Sequence, residues 1–302
     1  MFPLDKPVIL RQVAVATDFS ECTERALQHG LAVARHFGAT LHLLHLVRPS
    51  AFPYAADAMP ILDEAAVRDC DRLVDSLEQA HRLNGINLRR HVMQGEIQEV
   101  VSGFVRNEKI DLLIVGTHGR SGIPRLLRGS VAQQIFHCVR CPVLVVGPRA
   151  RGAGEQLQLR RILFSTDLSQ ESLAAVPYLL TAIRAWHAPC DVLHICSDPR
   201  GEHSRQMSDL VSTLDVLQDG EHETVAGHVL PGKPAPGVLG FSHEHGEDLI
   251  VLGLKPHRAL YNGPMWSHAY EIVRHAECPV LSVRATPAES TRKGPASAHA
   301  SE

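Results

Sequence analysis

The sequence predicts an α/β protein made of two tandem copies of one domain, each a five-stranded parallel sheet with helices on both faces. Three observations carry this prediction. The chain has 302 residues, and at about 150 residues per domain this length suits two domains. Segments of the first half recur in the second half. Apolar runs also alternate with amphipathic stretches, in the order that gives parallel strands joined by helical crossovers.

The repeat is visible near both ends of each half. Residues 10–20 (LRQVAVATDFS) are matched by residues 159–169 (LRRILFSTDLS), an offset of 149 residues that His45 and His194 also keep. Later, Cys141-Pro142-Val143-Leu144 is matched by Cys278-Pro279-Val280-Leu281, an offset of 137. The second copy is therefore 12 residues shorter than the first between His194 and His228.

The elements of the first copy follow in the order β-α-β-α-β-α-β-α-β. The first apolar run leads into Thr17-Asp18, Ser20 suits the N-cap of a helix that ends near Gly38, and Asn84-Gly85 ends the second helical stretch. The predicted strands are 13–16, 40–47, 86–93, 111–116 and 142–146, and the predicted helices are 20–38, 61–83, 97–107 and 130–139.

The domain boundaries follow from composition. A Gly- and Arg-containing segment between the copies predicts a linker at 149–157, which leaves a first domain at 1–148 and a second domain at 158–286. From about Pro287 the chain becomes rich in Ala, Ser and Pro without periodicity, so we expect residues 287–302 to be a disordered tail.

Charge and hydropathy exclude several classes of function. The net charge of −3 is too close to neutral for a protein that coats nucleic acid or an anionic membrane, and apolar runs such as residues 112–115 fall far short of a membrane span. The N-terminal segment has no signal-peptide h-region, because Asp5, Lys6 and Arg11 interrupt it. Seven cysteines, an odd number spread along the chain, argue against a disulfide framework. We therefore expect a cytoplasmic protein without a nucleic-acid or membrane partner.

A glycine-containing loop after the fourth strand has the features of a phosphate site. It runs from Gly116 to Ser130 (GTHGRSGIPRLLRGS), and Gly119 allows close approach of a ligand to the backbone. Gly129-Ser130 opens a helix whose unpaired N–H groups favour an anion. The loop is neither a Walker A motif nor the Gly-x-Gly-x-x-Gly motif of dinucleotide folds.

The spacing Gly116-x2-Gly119-x9-Gly129-Ser130, with Asp18 after the first strand and the closing strand after Cys141-Pro142, resembles the universal stress protein family over nearly the whole chain. This resemblance implies adenine-nucleotide α-hydrolase-like (Rossmann-like) domains with strand order 3-2-1-4-5. It also implies ATP, alone or with Mg²⁺, in the first domain, with Asp18 at the adenine, Leu46 beside the base, and the loop with Ser130 around ribose and phosphates. The expected site residues are Ala16, Thr17, Asp18, Leu46, Val115, Gly116, His118, Gly119, Arg120, Gly129, Ser130 and Val131.

The two copies differ in their suitability for a polyphosphate. Residues 1–150 carry 17 Lys and Arg against 15 Asp and Glu, and no acidic residue lies between Leu112 and Gly154. In the second copy Pro256 replaces Gly119 and Trp266 replaces Gly129. Proline removes an N–H group, and the indole ring fills the position where phosphate would meet the helix. We expect the second site to be closed to ATP in the usual pose, with another ligand left open.

Three other patterns have structural as well as functional interpretations. Cys138-x-x-Cys141 follows a helix end, which favours packing over redox or zinc chemistry. His243 and His245 lie at a predicted helix end, and solvent exposure accounts for them better than a metal. His45 and His194 in apolar strands are expected to be structural. We therefore predict no metal site.

Asp18 can likewise act as a helix cap as well as a nucleotide contact. Because no general base is evident near the predicted phosphates, a regulatory or protective binding protein is the leading hypothesis. The alternatives are a slow ATPase or nucleotidyl-transfer enzyme using Asp18, His118 and Ser130, and an interaction module without nucleotide. The resemblance further implies that the two domains pair through their fifth strands as an internal pseudo-dimer, with homodimerisation left open.

Overall fold

A computed structural model describes residues 8–47, 59–80, 82–116, 134–135, 138–154, 157–199, 201–218, 223–255 and 264–285. In the first half, the strands are β1 (Gln12–Thr17), β2 (Thr40–Val47), β3 (Leu88–Gln94), β4 (Leu112–Gly116) and β5 (Val143–Val146). The helices are α1 (Glu21–Phe37), α2 (Met59–Gln79) and α3 (Ile97–Asn107). Gln134, Ile135 and Cys138 are also helical, within the predicted fourth helix.

The second half repeats this order with one altered helix. Its strands are β6 (Ile162–Ser165), β7 (Cys190–Cys196), β8 (Val225–Pro231), β9 (Leu249–Leu254) and β10 (Val280–Arg284). A short 3-10 helix, Ser172–Ala175, precedes α4 (Val176–Trp186), and α5 (Glu202–Leu217), α6 (Pro234–His245) and α7 (Pro264–His275) follow.

The ten strands of the described residues form a single sheet in the order β3-β2-β1-β4-β5-β10-β9-β6-β7-β8. Each half therefore has the predicted order 3-2-1-4-5, with parallel neighbours throughout. β5 and β10 pair antiparallel, with Leu144 opposite Leu281. The predicted pairing of the two domains through their fifth strands is confirmed.

Local signals set the ends of α1. The Ser20 side chain accepts a hydrogen bond from the Thr23 N–H, and Gly38 ends the helix in the left-handed conformation (φ 63°). The second helix and third strand differ from the prediction, since the helix spans 59–79 rather than 61–83 and the strand begins at 88 rather than 86. The predicted tail lies outside the described residues.

The core lies on both faces of the sheet. On one face, α1 covers Val13, Val15, Leu41 and Leu43, all without exposed surface. On the other face, Ile97, Val101 and Phe104 of α3 pack with Ala14, Leu44 and Leu113. These strand positions alternate between the faces with the two-residue period of a β-strand, and burial on both sides explains their continuous apolar character. The carboxyl ends of the strands remain as the edge where loops meet.

Candidate functional site

The carboxyl ends of β1 and β4 lie side by side in the first domain. Ala16 of β1 is in register with Val115 of β4, so Thr17-Asp18 and Gly116 emerge at neighbouring strand ends. This is the point at which the chain order of the strands reverses, since β2 lies on one side of β1 and β4 on the other. Open α/β sheets bind ligands at such a switch point.

The Asp18 side chain shapes the turn between β1 and α1. Its Oδ1 accepts hydrogen bonds from the Ser20 N–H (3.1 Å) and from the Thr23 hydroxyl (3.2 Å). These bonds fix the orientation of the carboxylate beside the helix N-terminus. Asp18 therefore has a structural role in this turn, while Ser20 is the residue that caps the helix.

Phe19, which the sequence prediction missed, and His45, which it expected to be structural, form an aromatic pair beside Asp18. Phe19 has a left-handed backbone (φ 60°), and its N–H donates to the Thr17 hydroxyl at 3.0 Å. The Phe19 ring lies 4.5 Å from the His45 ring, whose Nδ1 is 2.8 Å from the Thr17 carbonyl. Leu168 repeats the positive φ in the second domain. The strain therefore belongs to the turn itself rather than to one ligand, and the repeated Thr-Asp-x-Ser sequence is the signal for it.

An apolar surface continues from this turn across the strand ends. Ala16, Leu46 and Met93 are half-buried and pack against the core beneath α3. Leu46 is in register with Met93 of β3, so the two side chains belong to adjacent strands. A flat, apolar ring system suits a surface of this kind.

The same edge of the second domain has a different arrangement. Oδ1 of Asp167 accepts hydrogen bonds from the backbone and hydroxyl of Ser169, and its other oxygen lies 4.0 Å from Nζ of Lys255. Burial raises the pKa of Asp167, but the bonds from Ser169 and the charge of Lys255 outweigh it, and the pKa is lowered overall. Lys255 occupies the position of His118 in the first copy. The acid that matches Asp18 is thus already paired with a cation of its own domain.

Gly253 shows why a side chain is not tolerated beside this turn. A Cβ at Gly253 would lie 1.9 Å from the Ser172 carbonyl oxygen in the 3-10 helix. Backbone atoms cannot give way as a flexible side chain can, so β9 and the helix approach each other only because residue 253 is glycine. Gly253 matches Gly116, the residue that ends β4.

The family to which the chain belongs follows from comparison with known proteins. The model of the universal stress protein family matches it twice, at residues 10–147 and 158–284. The chain belongs to the universal stress protein family. A universal stress protein of Methanocaldococcus jannaschii is 25% identical over 140 residues, which cover 46% of this chain and 82% of the relative. A homologue from Coxiella burnetii is 29% identical over 140 residues, covering 45% and 95%.

Solved structures agree on the fold of the tandem protein. A universal stress protein from Archaeoglobus fulgidus has a TM-score of 0.72 at 17% identity and covers 90% of this chain and 98% of its own. A protein from Pseudomonas aeruginosa described as a putative universal stress protein has a TM-score of 0.60 at 16% identity, covering 91% and 93%. At these identities the likeness concerns the fold alone.

Half of the expected site residues of this universal stress protein lie among the described residues. The structure brings Ala16, Thr17, Asp18, Val115 and Gly116 together, with Leu46 on the next strand beyond β1. His118, Gly119, Arg120, Gly129, Ser130 and Val131 lie outside the described residues, as do Pro256 and the side chain of Trp266. Their predicted roles stay predictions.

The cysteine and histidine pairs that the sequence singled out have structural partners. Burial raises the pKa of the Cys141 thiol to about 12 and also raises that of Cys138, so both stay protonated at neutral pH. His243 Nδ1 lies 3.1 Å from a Glu277 oxygen, and the His245 ring stacks on Phe241 at 3.8 Å. These contacts agree with packing and surface roles. None of the helices in the described part of the chain combines the length and apolar character of a membrane span.

Proposed function

We propose that this universal stress protein binds ATP, alone or with Mg²⁺, at the carboxyl edge of its first domain and acts as a regulatory or protective binding protein in the stress response. The supporting observation is the adjacency of the β1 and β4 ends, which gathers Asp18 and Gly116 at the switch point of the sheet. The half-buried Ala16, Leu46 and Met93 offer an apolar surface for the base.

The positive charge of the loop after Gly116 supports a polyphosphate as the ligand. The loop that follows Gly116 contains Arg120, Arg125 and Arg128, and no acidic residue lies between Leu112 and Gly154. Arginine suits phosphate because its guanidinium donates paired hydrogen bonds. A phosphate chain leaving the Asp18 region toward this loop meets complementary charge.

The second domain is proposed not to bind ATP in the same pose. Lys255 pairs with Asp167 there, and Pro256 and Trp266 stand where the first copy has glycines. A nucleotide would have to break the ion pair and lack the backbone donors that glycine positions allow. The proposed stoichiometry is therefore one ATP per chain. A cytoplasmic location and further homodimerisation stay predictions of the sequence.

Thermal unfolding with and without Mg-ATP tests this proposal. A ligand at 100 times its dissociation constant adds about 2.7 kcal/mol to the stability of the folded state, which raises Tm by roughly 5 °C or more for a domain of this size. We expect this shift in the wild type and its loss in Gly129→Trp, which copies the second domain's residue into the first. Asp18→Asn should reduce the shift, since asparagine keeps an oxygen for the Ser20 N–H but lacks the charge.

The matched control is Asp167→Asn, the same change in the second domain. It should leave the shift with ATP unchanged. A wild type whose Tm does not move at millimolar Mg-ATP contradicts the proposal. Phosphate release in the same samples tests the enzyme hypothesis, and turnover that Asp18→Asn abolishes would favour a slow ATPase.

A further inference from the structure

Three potential metal ligands meet at the carboxyl end of β7 in the second domain. His194 and Cys196 lie two residues apart on this strand, so both side chains leave the same face. His203 is in the first turn of α5, the helix that packs over that face. One ligand atom from each of the three residues lies within 4.8 Å of the other two.

His194 has a fixed tautomer and a nitrogen without a partner. Its Nδ1 lies 2.9 Å from the Thr166 carbonyl oxygen, which only accepts, so Nδ1 carries the proton. Nε2 therefore presents a lone pair. This atom is buried in a side chain that is 6% exposed, and it has no hydrogen-bond partner among the described residues. A backbone carbonyl on one nitrogen and a free lone pair on the other is the arrangement of metal-binding histidines.

His203 presents a second buried ring nitrogen. Its Nδ1 is buried and also lacks a hydrogen-bond partner within the described chain. The two imidazole rings lie 4.8 Å apart between centroids, with an interplanar angle of 41°. Two buried ring nitrogens without hydrogen-bond partners cost free energy, and a cation that binds both, with the His203 proton on Nε2, would recover it.

Cys196 completes the group with a sulfur ligand. Its thiol donates to the Asp198 carbonyl oxygen at 3.2 Å and is half-exposed, so the sulfur can be reached from solvent. The sulfur therefore lies beside the two histidines, at the solvent side of the group.

We propose that His194, Cys196 and His203 form a Zn²⁺ site. Two imidazoles and a thiolate are the ligands that Zn²⁺ prefers, and three protein ligands leave a fourth position for water or an anionic group. On binding, the Cys196 S–H bond breaks, the proton goes to solvent and an S–Zn bond forms. Bonds of about 2.0–2.3 Å require the ligand atoms to close by about 1 Å, a movement that the proposal assigns to rotation of the Cys196 and His203 side chains.

The first domain serves as an internal comparison. His45 occupies the position of His194 and makes the same Nδ1 contact, to the Thr17 carbonyl. Val47 stands in the position of Cys196, and His203 lies in the segment where the copies differ in length. The His45 ring instead lies against Phe19. The site is thus specific to the second domain, in which the phosphate loop is interrupted, and it does not depend on the proposed ATP site.

Titration of the full-length, EDTA-treated and reduced protein with Co²⁺ tests the proposal, because a cobalt–thiolate bond gives a charge-transfer band that histidine alone does not. We expect one equivalent of Co²⁺ with this band, displaced by Zn²⁺. Cys196→Ser should abolish the band, and His203→Gln should weaken binding on the order of 100-fold.

Cys138→Ser and His243→Gln are the matched controls, since they remove the other cysteine and histidine candidates of the sequence, and both should bind like the wild type. The proposal is overturned if no thiolate band appears, as with adventitious binding by surface histidines, or if Cys138→Ser rather than Cys196→Ser abolishes it.

The rate of cysteine alkylation in the wild type is a second test, and it does not require any variant to fold. Zn²⁺ should slow labelling of the Cys196 peptide at least tenfold and leave that of Cys138 unchanged. Equal labelling of Cys196 with and without Zn²⁺ contradicts the site.

Discussion

At the scale of single residues, the second domain buries charge near the amino ends of its strands. Arg161 donates to Asp191, and its Nε lies 3.6 Å from a Glu247 oxygen. His228 Nε2 lies 2.7 Å from the other Asp191 oxygen. The Glu247 side chain has no exposed surface and the Asp191 side chain is 8% exposed. One guanidinium therefore faces two buried carboxyl groups.

The first copy has an uncharged version of this network at the matched positions. Gln12, His42 and His91 stand where Arg161, Asp191 and His228 stand, and Ile110 replaces Glu247. The His42 ring links Gln12 and His91. Its Nε2 lies 2.7 Å from Gln12 Oε1, and its Nδ1 lies 3.0 Å from His91 Nε2. The residues differ as a set because a buried charge needs a partner and a neutral group needs a matching donor or acceptor.

Glu247 makes the stability of the protein depend on pH. Burial and the neighbouring Asp191 charge raise its pKa to about 8, against 4.5 for an unperturbed glutamate. Because the pKa of Glu247 is higher in the folded than in the unfolded state, its contribution to stability is fully present below pH 4.5. This contribution is lost as pH rises through 8, where the folded protein must also ionise the group. Glu247→Gln keeps the neutral form at every pH. We expect its stability relative to the wild type to increase from pH 5.5 to 8.5 by on the order of 3 kcal/mol.

Urea unfolding at several pH values measures this difference. Glu244→Gln, an exposed change three residues away, is the control and should follow the wild type at every pH. A Glu247→Gln variant whose stability runs parallel to that of the wild type from pH 5.5 to 8.5 would mean that Glu247 is ionised in the folded protein throughout.

At the scale of elements, one proline changes a helix between the copies. Pro177 stands at the position of Gln28, inside α1. A proline there would remove an N–H and clash with the preceding turn, whereas the first turn of a helix accepts it. The second copy accordingly has a 3-10 helix at Ser172–Ala175 and begins α4 at Val176, with Pro177 in its first turn.

Two glycines within helices predict opposite effects of the same substitution. A Cβ at Gly30 of α1 would lie 2.3 Å from Cγ2 of the buried, β-branched Val15, whereas a Cβ at Gly103 of α3 meets nothing within 4 Å. We expect Gly30→Ala to lower the free energy of unfolding by about 1–3 kcal/mol. Gly103→Ala should raise it by about 0.5–1 kcal/mol. Chemical denaturation measures both, and a loss of stability in Gly103→Ala would contradict the open space beside α3.

Sequence reasoning succeeds for elements whose limits are local. Ser20 and Gly38 set the ends of α1 through their own side chain and backbone, so the sequence suffices. The start of β3 depends instead on pairing with β2, since Leu41 is in register with Leu88 and Ile86 precedes the ladder. Such a limit is tertiary and could not be read from apolar periodicity alone.

The candidate sites divide in the same way. The adjacency of Asp18 and Gly116 could be predicted, because the strand order that the family resemblance implies places the ends of β1 and β4 side by side. His203 could not be, since it lies where the second copy is shorter and the first copy offers no match. The ion pair of Lys255 with Asp167 could not be predicted either, because it joins two loops 88 residues apart in the sequence. Side-chain contacts between distant loops depend on the tertiary structure, which the sequence pattern does not reveal.

At the scale of the whole molecule, the β5–β10 pairing merges two sheets into one. Leu144 faces Leu281, and both are less than 9% exposed. Leu254 and Val273 of the second domain also pack against the core beneath α3 of the first. The pairing removes two sheet edges that would otherwise be open to other chains. The connection through the linker is thus supplemented by an extensive apolar contact.

The two domains should therefore stay together after the linker is cut. Arg149 and Arg151 are exposed, so limited trypsin treatment is expected to cleave there and leave halves that co-elute on gel filtration. Leu281→Lys buries an unpaired charge at the centre of the pairing and should separate the nicked halves. Leu230→Lys, on the outer strand β8 at 40% exposure, is the matched control and should co-elute like the wild type. Circular dichroism establishes that each variant is folded before cleavage. Separation of the nicked wild type would show that the linker, rather than the paired strands, holds the domains together.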